Sequence, residues 1–144
     1  MSVNRYKAYN KAAHTVAKTR QVVMLYDGIV RFLAQSKEAM EGNEIERRFK
    51  TLGRASEIIA GLQTCLDFEA GGDTAHVLNE FYSSIDMRIM QLHRTNDAVE
   101  CQNIIDELKQ MREVWNSIDH GNTPQGAENP AEPDGGLQPT IVSA

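Results

Sequence analysis

No residue before Pro124 is a proline; all four, Pro124, Pro130, Pro133 and Pro139, fall in the C-terminal stretch. Interior proline removes a helix donor and clashes with the preceding turn, so its absence leaves the body of the chain free to form long helices. Cysteine is also scarce. Cys65 and Cys101 are the only two, too few for a disulfide framework, and both lie in helical patterns where reduced, buried thiols are expected. No apolar run approaches the roughly 20 residues that a membrane-spanning helix requires. Met1 to Arg20 lacks the apolar stretch of a secretory signal. These absences point to a cytosolic protein with no membrane insertion.

Acid is missing from the start of the chain, where Arg5, Lys7, Lys11, Lys18 and Arg20 all precede Asp27. The net charge is nevertheless −5, so everything after that basic arm is strongly acidic. Such a body is a poor ligand for nucleic acid, whose binding rests on neutralising phosphates. The arm is expected to be attracted to its own acidic body.

The residues that enzymes of helical bundles need are absent too. Di-iron carboxylate proteins require inward-facing Glu-x-x-His pairs, and the chain has none. Glu38 with Glu41 reads as a solvated pair, and Asp73 beside His76 as a cap. His14, His76, His93 and His120 are scattered without metal-ligand spacing. There is no glycine-rich phosphate loop and no nucleophile motif. No catalytic residue, metal or cofactor is expected, and the chain does not read as an enzyme.

What the chain does have is helical periodicity. Val22, Leu25, Ile29, Phe32, Ser36 and Met40 form one row of helix 1, with Val23, Tyr26, Val30 and Leu33 beside it. Gly42 is expected to stop this helix, and Asn43 with Glu46 to cap the next as a capping box. Helix 2 carries Ile45, Phe49, Leu52, Ile59 and Leu66, widened by Ile58, Leu62 and Cys65. Gly71-Gly72 is expected to end it and Asp73 to cap helix 3, with Leu78, Tyr82, Ile85, Ile89 and Leu92 as its stripe. Asn96-Asp97 makes the last turn, and helix 4 follows with Ile104, Ile105, Leu108, Met111, Trp115 and Ile118.

Four helices of about 20 residues joined by short turns pack antiparallel around one core. The expected fold is all-α: an up-down-up-down four-helix bundle at residues 19–121, a flexible basic N-terminal arm at 1–18 and a disordered Pro/Gly-rich acidic tail at 122–144. Helices 1, 2 and 3 hold more large apolar side chains than one inward stripe needs, Val77, Phe81, Met87 and Met90 among them. Two explanations are open: a groove for a partner, or the wide stripe of a small bundle whose helices each touch two neighbours. Tyr6 and Tyr9, aromatic on an otherwise polar arm, favour anchoring.

Taken together, several landmarks resemble the FliS family of flagellin export chaperones over about residues 6–119. They are Tyr9 in the arm, Met24-Leu25-Tyr26-Asp27-Gly28, Glu57-Ile58-Ile59 with Leu62, Gly71-Gly72-Asp73 before Leu78 and Tyr82, then Arg88, Leu92, Asn96-Asp97 and Trp115. Two stretches depart from the family pattern. Ala17-Lys18-Thr19 stands where a Ser-Pro-Glu-like cap is usual, and Ser83 to Ile89 lacks the second aromatic and keeps only Arg88 of an arginine pair.

The resemblance implies a cytosolic chaperone that binds the disordered C-terminal segment of flagellin as helices on its apolar surface. Premature polymerisation is thereby blocked and delivery to the flagellar type III export apparatus assisted, with an export-gate component as a further partner. The arm would cover part of the groove in the empty protein. Client contacts are expected at Tyr6, Tyr9, Val23, Tyr26, Ile58, Leu62, Phe81 and Met87, with Leu52, Ile89, Leu108 and Trp115 in the core. The alternative is a non-catalytic bundle adaptor or regulator that binds a folded partner.

Overall fold

The computed structural model describes the backbone of residues 2–119 and the side chains of residues 18–118. Four helices account for it: α1 (Ser2–Glu41), α2 (Ile45–Thr64), α3 (Phe68–Thr95) and α4 (Ala98–Asp119). Successive helices reverse direction through short turns, which is the antiparallel four-helix bundle. The backbone of the arm continues α1 upstream to Ser2, whereas the periodicity opens that helix near residue 19. The side chains of Tyr6 and Tyr9 and the tail at 122–144 lie outside the described residues.

The turns differ from their sequence reading in ways that backbone chemistry explains. The left-handed residue after α1 is Asn43, φ 56°, and not Gly42. Asn43 N–H donates to the Met40 carbonyl at 3.3 Å and Glu44 N–H to that of Ala39 at 2.8 Å, the paired bonds of a Schellman ending, in which asparagine substitutes for glycine. The expected Asn43–Glu46 capping box is therefore not formed. Asn43 closes the first helix, and Glu44 stands at the start of α2 without a side-chain cap.

The next connection is also displaced. Helix α2 ends at Thr64, before the glycine pair, and Asp67 caps α3 by accepting from Glu69 N–H at 3.1 Å and Ala70 N–H at 3.0 Å. Gly72, at φ 55° and ψ −129°, kinks α3 one turn later. Only glycine adopts that conformation without strain, so Gly71-Gly72 marks a break inside α3 and not its beginning. At the last turn Asn96 takes φ 55° and Asp97 accepts from Glu100 N–H at 3.0 Å. The Glu100 carboxylate turns away to Arg88, leaving that capping box half made.

Helix α1 is the hub, packing along both α2 and α4, while α3 lies more loosely on its neighbours. The core joins Tyr26, Ile29, Leu33 and Met40 of α1 to Leu52, Ile59 and Leu62 of α2, Tyr82, Ile85, Ile89 and Leu92 of α3, and Cys101, Ile104 and Leu108 of α4. Gly28 lets α2 approach: a Cβ there would sit 3.1 Å from Ile58 Cδ1. Buried polar side-chain atoms among the described residues are paired except Arg48 Nε, Asp86 Oδ1 and Trp115 Nε1. Ser36 and Thr51 hydroxyls are 2.6 Å apart, one donating to the other while the second donates to a carbonyl one turn back, of Phe32 or Arg47. Cys101 Sγ donates to the Leu33 carbonyl at 3.3 Å, and burial pushes its thiol up to about 11. Cys65, expected to be buried, is exposed, because α2 ends beside it.

Ion pairs tie the outer edges. Arg112 clamps Asp27 at 2.6 and 3.3 Å across α1 and α4, and Arg88 reaches Glu100 at 2.7 Å and Glu107 at 2.8 Å across α3 and α4. Arg48 of α2 donates to Asn96 Oδ1 at 2.6 Å and to the His93 carbonyl at 2.9 Å. No helix among the described residues is long and apolar enough to cross a membrane.

Candidate functional site

Two helical stripes meet on the outer side of α2 and α3. Phe49, Gly53, Ser56, Ala60 and Gln63 recur at three- and four-residue steps on α2, and Asn79, Ser83, Asp86, Met90 and His93 do the same on α3. Such spacing places each set on one face. Contacts confirm that the two faces oppose each other at both ends. The Phe49 and His93 rings meet edge to face at 5.4 Å between centroids, and Gln63 Nε2 donates to Asn79 Oδ1 at 3.1 Å and Ser83 Oγ at 3.0 Å.

Between those ends the seam lacks bulk. A Cβ on Gly53 would meet nothing within 4 Å, and Ser56 and Ala60 are the next residues along the same line. Toward the Gln63 end lies a shallow hollow of about 390 Å³, lined by Gln63, Ser83, Asp86, Met87, Met90, Gln91 and Arg94. Its apolar members are uncovered, Met87 at 63% exposed and Met90 at 62%, and Phe49, at the other end of the seam, is 66% exposed. Ile45, at 68%, extends the apolar strip one turn beyond Phe49. Within the seam, Asp86 Oδ1 is buried and has no hydrogen-bond partner.

Of the eight expected contact residues, Tyr6 and Tyr9 lie outside the described side chains, and the other six divide by depth. Met87 lines the hollow, while Ile58 and Phe81 are half-buried against the core. Val23, Tyr26 and Leu62 are buried, Tyr26 completely: the first two because α1 is enclosed by α2 and α4, Leu62 because it faces the core from α2. These three offer no surface in this arrangement. Tyr26 instead donates its hydroxyl to Tyr82 Oη at 2.8 Å. Burial, and then the adjacent Tyr82, hold the Tyr26 phenol above its ordinary range, so it stays neutral. Leu52, Ile89 and Leu108 are fully buried as expected. Trp115 packs half-buried on the core with its indole nitrogen unpaired.

Phe49 and Ile45 were expected in the helix 2 core stripe, and both are exposed. Spacing within α2 gave no sign that these two positions would lie outside its covered face. Among the described residues, no three His, Cys, Asp or Glu side chains gather as metal ligands.

The arrangement defines first a class: an all-α bundle with one loosely filled seam and an uncovered apolar strip beside it, suited to holding another polypeptide. Comparison then supplies the family. Residues 2–122 match the family described as flagellar protein FliS, and the chain belongs to it. Relatives include the flagellar secretion chaperone FliS of Campylobacter jejuni, 29% identical over 82% of this chain and 93% of that protein. The FliS chaperone of Vibrio cholerae is 33% identical over 67% of this chain and 71% of its own length. That of Salmonella typhimurium is 31% identical over 67% and 73%.

Proposed function

We propose that this protein is a cytosolic export chaperone that holds the C-terminal segment of flagellin as helices against its surface, so that the segment cannot drive polymerisation before export. The observation that carries this reading is the uncovered Phe49–Met90–Met87 strip above the small-residue floor of the α2–α3 seam, in a chain of the FliS family. An amphipathic client helix docks through anchors at helical spacing, and methionine side chains adapt to the shape presented. Fully burying one such side chain contributes about 1.5–3 kcal/mol. Ordering a disordered segment costs about 2–5 kcal/mol, so several anchors must act together.

Met87, Phe81 and Ile58 then serve the client from the groove and its margins, with Val23, Tyr26 and Leu62 supporting them from below. Tyr6 and Tyr9 sit on an arm whose backbone here extends α1, so their anchoring it over this surface in the empty protein requires that extension to unwind first. The protein works by binding, without chemistry, and passes its client to an export-gate component. Calorimetric titration with the C-terminal segment of flagellin from the same cell tests this. The expected result is micromolar or tighter binding with a negative heat-capacity change, the mark of apolar burial, weakened in a Met87→Ser/Met90→Ser variant. Absence of binding, with capture of a folded partner instead, would establish the adaptor reading.

A further inference from the structure

The groove has one feature that apolar docking leaves unused, the buried and unpartnered Asp86 Oδ1. A carboxylate oxygen withdrawn from water without a donor costs stability, and a cationic donor recovers the most because charge-assisted hydrogen bonds are about twice as strong as neutral ones. The neighbouring cations are committed or distant. Arg88 is held by Glu100 and Glu107, and Arg48 by Asn96 and the His93 carbonyl. Arg94 lines the hollow eight residues on, about 12 Å further along the helix axis, and forms no ion pair with Asp86 among the described residues. The Gln63 amide is spent on Asn79 and Ser83.

Resting on the function proposed above, we infer that Asp86 sets client specificity: it selects a client helix that carries a lysine or arginine within its apolar face. The hollow, together with the open space beside Gly53, leaves room for the long aliphatic stem of such a side chain, which lies against Met87 and Met90 while its charged head reaches the carboxylate. Charge complementarity at Asp86 thus identifies the occupant as an amphipathic segment with a lysine or arginine at that point of its apolar face, while Arg94 at the other end of the hollow disfavours a second basic residue there.

The test titrates the flagellin C-terminal segment into the full-length protein, into Asp86→Asn and into Met90→Ala. Asp86→Asn has no native partner to lose and should melt no lower than the parent, yet bind about tenfold or more weakly. One client lysine or arginine, replaced by glutamine, should weaken binding to the parent by a similar factor and leave binding to Asp86→Asn unchanged; Met90→Ala should remain sensitive to that replacement. Parent binding with Asp86→Asn within about twofold of it overturns the role of Asp86 while the chaperone reading stands. No binding to the parent overturns that reading and this inference with it. Concentration-dependent dimerisation that client fails to reverse, abolished by Asp86→Asn, would show instead that a second copy fills the groove.

Discussion

The seam between α1 and its neighbours and the seam between α2 and α3 are built from the same helical periodicity, yet one is sealed and the other is open. Along α1, Tyr26, Ile29 and Leu33 are fully buried, Gly28 brings Ile58 close, and Asp27 is clamped by Arg112. Along α2 and α3, Gly53 faces empty space, two methionines stand uncovered, and a carboxylate oxygen has no partner. The two glycines make the point most directly. Gly28 is small because another helix needs its space; Gly53 is small where nothing in this chain takes the space. The first region carries the packed core, and the proposed function assigns binding to the second.

That division predicts opposite responses to substitution. The largest effect is expected from Leu108→Ala, which empties a fully buried site and should lower stability by about 2–5 kcal/mol. Met90→Ala, in the open seam, should cost under about 0.5 kcal/mol by chemical denaturation while weakening client binding. Gly28→Leu overpacks the sealed seam and should cost about 1–3 kcal/mol, since Ile58 has to move. Tyr26→Phe removes a buried hydrogen bond to Tyr82 and should cost about 1 kcal/mol, read from the same denaturation curves. Gly53→Ala goes the other way. A helical alanine with open space beside it should stabilise by about 0.5–1 kcal/mol.

The smallest effect concerns pH. Burial, and then nearby Arg48, hold the His93 imidazole below its ordinary value of 6.5. The folded state therefore binds fewer protons than the unfolded chain in mildly acid solution, so stability should fall as pH drops below that value. Above it the contribution is flat. The thermal midpoint of His93→Gln, followed from neutral to mildly acid pH, should lack this component of the slope. An unchanged slope would show that the Phe49–His93 end of the groove plays no part in it.

Much of the fold was legible because the relevant signals are local. Four periodic segments, the Asn96-Asp97 turn and the core positions Leu52, Ile89 and Leu108 follow from spacing and capping alone. The two misread connections involved residues with more than one conformational use. Asparagine closes a helix in the left-handed region as readily as it caps one, and a glycine pair kinks a helix as readily as it ends it. Periodicity also failed to rank the two rows of α1, because a helix enclosed on two sides draws burial from both, Tyr26 and Val23 from one and Ile29 and Met40 from the other, while Leu25 stays exposed. It misplaced Phe49 and Ile45 for the converse reason: whether an apolar row is covered depends on where the facing helix lies, which spacing within one helix does not report. Asp86 gave no signal as a lone acidic residue in a polar-looking stretch, since only the packing around it reveals an unpaired oxygen.

The most direct test of the central claim is to fill the open seam and ask whether binding is lost without the fold. Calorimetric titration of the flagellin C-terminal segment into Gly53→Leu, beside the parent, does this in one comparison. A variant that melts at or near the parental temperature and no longer binds would place the client on the α2–α3 seam. Parental affinity in that variant would contradict the account and move the binding surface elsewhere on the bundle.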